Sequence, residues 1–314
     1  MQSVHLRTRL SLAQTKKVVC LDAIIDVVIP LAVALIMFSI GFGMTGNDLR
    51  AALATRKAFF VGVLAQVILV PVMVFLVLLL LRPEMKLGLG IMILAICPGG
   101  ALSNILTKIA GGDVALSISI TAFTNLFSVA TLPTLSMLAA SYFVGADVNT
   151  SQIQAMTLYL MLIGTAPVLL GMCLRYIAPP SAERYEKPFF RFSLMIFLLI
   201  MGWSIIKSIN VFYASMTALG LQMFFLLCLV LVMGIGVSRL CMIPMQQRIS
   251  LVFEIGVQNS ALGIAIGAIT GREASSFPIY ATPAAVYGSL TLLLLLPVTA
   301  LASWALKHTG TAKN

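Results

Sequence analysis

Glu254 is the one acidic residue inside a long uncharged run, about Ile249 to Ile269, whereas every other Asp and Glu stands at a run end or in a connection. A carboxylate in a run of membrane-spanning length is costly unless it faces protein, water or a ligand, so it marks a functional site. Snorkelling toward an interface is the alternative, since Arg248 lies six residues before it. Gly256 and the polar trio Gln258-Asn259-Ser260, directly after Glu254, favour the site. A second apolar run is interrupted by Pro98-Gly99-Gly100, followed by Ser103 and Asn104, and the next run carries Ser117 and Thr121 one turn apart. Proline removes a donor and paired glycines weaken the helix, so either a kink or an unwound segment is expected. Unwinding frees carbonyl oxygens that suit a hard cation and opens a half-helix N-terminus that suits an anion. Hydroxyl, amide and backbone oxygens with a single carboxylate match Na⁺ better than Ca²⁺ or Zn²⁺, whose sites hold more carboxylates or N/S ligands. The residues therefore point to a coupled sodium ion, with a proton on Glu254 as the rival.

The elements that must position these groups are long apolar helices. Of 314 residues, 60% are hydrophobic and 10% charged, with a mean hydropathy of +1.07; an ordinary soluble domain is about 25% charged. Nine apolar runs are legible: about residues 24–44, 58–81, 87–109, 114–143, 153–177, 189–206, 216–237, 249–269 and 277–306. Each exceeds strand length and lacks period-two alternation, which predicts an all-α polytopic membrane protein of about nine transmembrane helices rather than a barrel. Residues 1–21 and 307–314 read as tails around a single transporter-sized unit over 22–306. No room is left for a soluble catalytic or nucleic-acid-binding domain.

The net charge of +10 is spread between the runs instead of forming one basic patch, so it reads as loop bias and not as a nucleic-acid footprint. Connections after runs 1, 3, 5 and 7 plus the C-terminus hold 12 Lys and Arg against 8 on the other side, which predicts N-terminus outside and C-terminus inside. Arg184, Lys187 and Arg191 are counted there as part of the connection after run 5. Five scattered cysteines without CxxC spacing read as packing residues, and the two histidines, His5 and His308, lie in the tails. Histidine-dependent catalysis, a carboxylate dyad and a G-x-S-x-G element are all missing, which leaves an intramembrane enzyme or receptor as the weakest reading. Gln66 and Gln222, like Asn104 and Ser260, are 156 residues apart, which suggests an inverted repeat.

The sequence resembles the bile acid:sodium symporter family, in its nine-helix form, over about residues 30–300. The resemblance is carried by Cys97-Pro98-Gly99-Gly100 with Leu102-Ser103-Asn104, by Gly112 through Thr121, by Glu254-Ile255-Gly256-Val257-Gln258-Asn259-Ser260, and by Ala65-Gln66 with Pro71 five residues on. It implies two broken helices crossing in a core domain, about 58–143 and 214–306, beside a panel domain, about 24–44 and 153–206. It implies two coupling sodium ions. The first would be held by Ser103, Asn104, Ser117, Thr121 and Glu254, and the second by Gln66, Glu254, Gln258 and the carbonyls of Ile255 and Val257. Gly100, Ala101 and Asn259 would face the organic anion, with Thr291 of the last helix nearby. Ala101 is apolar where some members carry a hydroxyl, and Thr291 is less polar than the residues some relatives use. Smaller anions such as pantoate-like or 2-oxo acids are therefore expected as readily as a bile acid. The implied activity is sodium symport by alternating access in a bacterial cytoplasmic membrane. A proton-coupled or efflux carrier of the same fold is the alternative.

Overall fold

A computed structural model of the chain describes residues 28–43, 55–143, 145, 161–207, 209–270 and 279–308. Among these the chain is helical throughout, and its extended pairing is confined to an isolated antiparallel bridge between Gly99 and Gln258. Three helices are long and apolar enough to cross a membrane, Arg56–Leu81, Tyr213–Leu240 and Thr282–Leu301, with a fourth if the bent pair Val114–Ser128 and Ala130–Phe143 is one span. The chain is an integral, multi-pass membrane protein.

In chain order the helices are α1 (Ile29–Gly43), α2 (Arg56–Leu64), α3 (Val70–Leu81), α4 (Met85–Ile96), α5 (Ala101–Ile109), α6 (Val114–Phe143) and α7 (Ala166–Ile177). They continue with α8 (Pro179–Lys207), α9 (Ile209–Leu240), α10 (Met245–Gly256), α11 (Ser260–Thr270), α12 (Thr282–Leu290) and α13 (Leu296–His308). Three widened π-helical turns join or precede helices, at Ala65–Leu69, Met161–Thr165 and Thr291–Leu295. Each ends two residues before a proline: Pro71, Pro167 and Pro297. The proline ring cannot donate to the preceding turn and crowds its carbonyl, so the chain swells locally and the donor before it reaches one residue further back. This is seen directly where Val70 N–H bonds to Ala65 O, five residues away. A fourth proline, Pro133, produces a bend of 61° in α6 instead, centred on residue 129, the position four residues before it.

Packing sorts these helices. α1 lies against α7 and α8, while α4, α5, α10 and α11 pack among α2, α6, α9 and α12. The α1–α7 contact is backbone to backbone: a Cβ at Gly171 would strike Phe38 O and Phe42 N, and one at Gly41 would strike Val168 O. Small residues permit this approach where no hydrophobic drive separates helix from lipid.

Three expectations are corrected. Arg184, Lys187 and Arg191 are not in a connection but inside α8, which starts with Pro179 and Pro180 directly after Ala178; proline is preorganised for the first helical positions, where its missing donor costs nothing. The spacing of 156 does not relate the two interrupted helices: α4 ends at Ile96 and α10 at Gly256, 160 apart, and Gln222 is exposed whereas Gln66 is buried. Cys97 is buried as a packing residue should be, but Cys173 is exposed; Cys20 and His5 lie outside the described residues.

Candidate functional site

The two interruptions are built from different residues and meet each other. α4 stops because Cys97 precedes a proline and is driven to an extended conformation, φ −60° and ψ 142°. α10 stops at Gly256, and Val257 is extended at φ −112° and ψ 92°. The loosened strands pair: Asn259 N–H donates to Pro98 O at 2.9 Å and Gly100 N–H to Val257 O at 3.2 Å. Backbone groups released in the apolar layer are thus satisfied across the crossing rather than by water. Asn259 also caps α11, its Oδ1 accepting from Leu262 N–H at 3.1 Å.

Around this crossing two helices, α5 and α6, aim oxygens at Glu254 of α10, which is 0% exposed and is the buried charged side chain among the described residues. Ser103 of α5 donates to Oε2 at 2.7 Å, Ser117 of α6 to Oε2 at 3.0 Å, and Thr121 of α6 to Oε1 at 2.5 Å. Ser117 and Thr121 are four apart on one helix face, which is why both reach the same carboxylate. Asn104 Oδ1 stands within 2.7 Å of Ser117 Oγ and 3.4 Å of Thr121 Oγ1. Ser103 Oγ also approaches Gly100 O at 2.7 Å, and Thr121 Oγ1 approaches Ser117 O at 3.0 Å. These three hydroxyls make seven close approaches to oxygen with one hydrogen each. One hydrogen on each hydroxyl cannot serve all of these oxygens at once, and an oxygen-rich cluster of this kind suits a cation.

A second group lies beside the same crossing. Gln66, carried on the π turn before Pro71, donates through Nε2 to Gln258 Oε1 at 2.7 Å and to Cys97 O at 3.0 Å. Gln258 in turn donates to Ile255 O at 2.9 Å. Gln66 Oε1 is buried with no hydrogen-bond partner, an acceptor lacking a positive neighbour. Among the described residues the side-chain hydrogen bonds of Glu254 go to the first group.

Sequence reasoning placed Gly100, Ala101, Asn259 and Thr291 toward an anion. Gly100 precedes α5 and spends its N–H on Val257 O; Ala101 opens α5, and its side chain lies outside the described ones. Thr291 is buried and its hydroxyl bonds to Tyr287 O at 2.7 Å, within its own helix. Tyr287 itself was missed. Its hydroxyl donates to Gly256 O at 2.6 Å and so ties the end of α10 to α12. The signal was a tyrosine in an apolar run, whose buried hydroxyl needs a partner. Ser250 was missed as well: it donates to Asp113 O at 2.8 Å, fastening the start of α6 to α10.

Asn104 and Thr121 face two ways, since both also line a cavity of about 280 Å³ between α5 and α6 on one side and α1 and α8 on the other.

The family model of the sodium bile acid symporter family matches residues 30–215. A probable sodium/metabolite cotransporter, BASS1, of Arabidopsis thaliana chloroplasts is 28% identical over 254 residues, covering 80% of this chain and 60% of the relative. The uncharacterized sodium-dependent transporter YocS of Bacillus subtilis (strain 168) is 24% identical over 265 residues, covering 82% and 78%. A sodium-dependent organic anion transporter of Bos taurus is 31% identical over 113 residues, covering 36% and 30%. The chain spans about three-fifths of the length of the chloroplast relatives it matches.

Proposed function

This chain belongs to the sodium bile acid symporter family, a family of transporters and not of enzymes, and we propose that it carries an organic anion across a membrane together with sodium. The observation that carries the reading is the convergence of Ser103, Asn104, Ser117 and Thr121 on the buried Glu254. Six oxygens on these five residues, with three hydroxyl hydrogens among them, form a first sodium site. A single carboxylate ringed by neutral hydroxyl and amide oxygens suits a monovalent cation, so sodium is the better partner. Gln66, Gln258, Glu254 and the carbonyls of Ile255 and Val257 form the second site, the unpartnered Gln66 Oε1 being its strongest support.

The fold reading follows the same family. Nine membrane helices form an inverted repeat in which the broken pairs α4/α5 and α10/α11 cross within a core, and α1, α7 and α8 form a panel beside it. Residues 1–21 and 307–314 are tails. The N-terminus lies outside and the C-terminus inside a bacterial cytoplasmic membrane. Sodium at the crossing offsets the Glu254 charge, holds the half-helices together and raises affinity for an anion at the N-termini of α5 and α11, and by linkage the anion raises affinity for sodium. Core and panel then rock to present the site to the other side. Each net charge carried inward gains about 2.3 kcal/mol per 100 mV of membrane potential. The anion is a carboxylate, bile-acid-like or smaller.

Reconstituted protein should take up a labelled anion under a sodium gradient and not under a potassium or pH gradient imposed in its place. Equal uptake with potassium removes the sodium coupling.

A further inference from the structure

The cavity beside the oxygen cluster is bordered by an exposed lysine, Lys108. Its wall includes Ser39, Asn104, Lys108, Thr121, Glu186 and Phe190. Glu186 accepts from Arg175 Nη1 at 3.3 Å, and the same guanidinium stands 3.8 Å from Glu183. Among the described residues no ion pair is formed by Lys108. Ser39 Oγ, on the facing α1, belongs to a side chain 3% exposed and has no hydrogen-bond partner. The cavity thus offers one ammonium and one unengaged buried hydroxyl, a donor set for an acidic group. Its remaining wall is largely apolar, with Ile40, Ile105 and Ile118 among its residues.

Lys108 also has a fixed relation to the crossing. Asn104 and Lys108 are four residues apart on one face of α5, the helix that starts at Ala101. Seven residues of helix separate the Cα of Lys108 from the start of α5 by roughly 10 Å, and helical side chains lean back toward the N-terminus. The ammonium can therefore reach to within roughly 5–10 Å of the α5 N-terminus.

Resting on the reading above, in which one acidic group of the substrate sits at the crossing, we infer that Lys108 binds a second and that the transported anion is a dicarboxylate of about five to seven carbons. A last-turn lysine also complements the helix dipole. A purely structural role of that kind would affect stability, whereas the inference concerns ligand preference.

The test is melting of the full chain in lipid nanodiscs, in sodium or in potassium, titrated with glutarate, adipate and pimelate and with the matched monocarboxylates valerate, hexanoate and heptanoate. In sodium the dicarboxylates should bind at least about tenfold more tightly than their matched monocarboxylates, a clear margin in the binding constant. Lys108→Met should abolish that margin and Lys108→Arg should keep it. If monocarboxylates bind as tightly in sodium, or if Lys108→Met retains the margin, the dicarboxylate inference is wrong while the sodium-coupled reading stands. If neither class shifts melting more in sodium than in potassium, the sodium-coupled reading fails and this inference falls with it.

Discussion

Glu254 occupies the space that a side chain at position 99 would need: a Cβ built on Gly99 overlaps Oε1 of the carboxylate. Glycine is required there for the close approach of the first interruption to the second, independent of backbone conformation. Gly99→Ala should leave the helices formed and displace the carboxylate from Ser103 and Thr121. The expected outcome is a loss of at least about tenfold in apparent sodium affinity, about 1.4 kcal/mol. Melting temperature followed against sodium concentration measures it, and an unshifted midpoint counts against the placement of Glu254.

The hydroxyl of Tyr287 reaches Gly256 O at 2.6 Å, at the point where α10 gives way to the interruption. Tyr287→Phe leaves that carbonyl buried without its donor, which costs about 1–3 kcal/mol. Thermal or denaturant unfolding in detergent should register the loss. Tyr287→Leu should cost more, because the aromatic volume goes as well.

Pro71 separates two effects that usually travel together. Alanine in its place restores a backbone donor and is about 3 kcal/mol more favourable in a helix interior. With the cause of the widened turn at Ala65–Leu69 removed, Gln66 should rotate away from Gln258 and Cys97. The expected result is stability equal to or above the parent in the absence of sodium, with a weaker sodium-dependent increase. A parent-like sodium response would detach Gln66 from the site.

Gly171 and Gly41 hold α7 and α1 at backbone contact. Gly171→Leu should force them apart and destabilise the protein by about 1–3 kcal/mol or more, as overpacking does. The oxygen cluster lies on other helices, so sodium affinity of the folded fraction should change much less than the melting temperature. An equal effect on both would tie this packing directly to the ion site.

How far the site can be read from the sequence depends on where its signals reside. Glu254 is legible because a single carboxylate contrasts with an uncharged run, and Pro98-Gly99-Gly100 because those residues weaken any helix. The bridge between Gly99 and Gln258 is not legible, since backbone pairing across 159 positions leaves no trace in side-chain type. Residue identity misleads on the repeat: Gln66 and Gln222 share a type and a spacing, but one is buried and the other exposed. The start of α8 was hidden by its charges, which resemble a loop although two prolines favour helix initiation. The widened turns leave a trace in the sequence at Pro71, Pro167 and Pro297, but Pro133 bends its helix and Pro188 lies inside α8 without a widened turn, so proline by itself does not say which distortion follows.

The two backbone hydrogen bonds between Pro98–Gly100 and Val257–Asn259 act as a rivet. Two segments from distant parts of the chain are fastened to each other there, so in the transport cycle proposed above α4, α5, α10 and α11 would travel together as one frame. Any large displacement must then be taken up at the frame's outer contacts, where α1 and its partners meet it. If the proposed cycle holds, a crosslink inside the frame should leave transport unchanged, whereas one across that outer seam should arrest it.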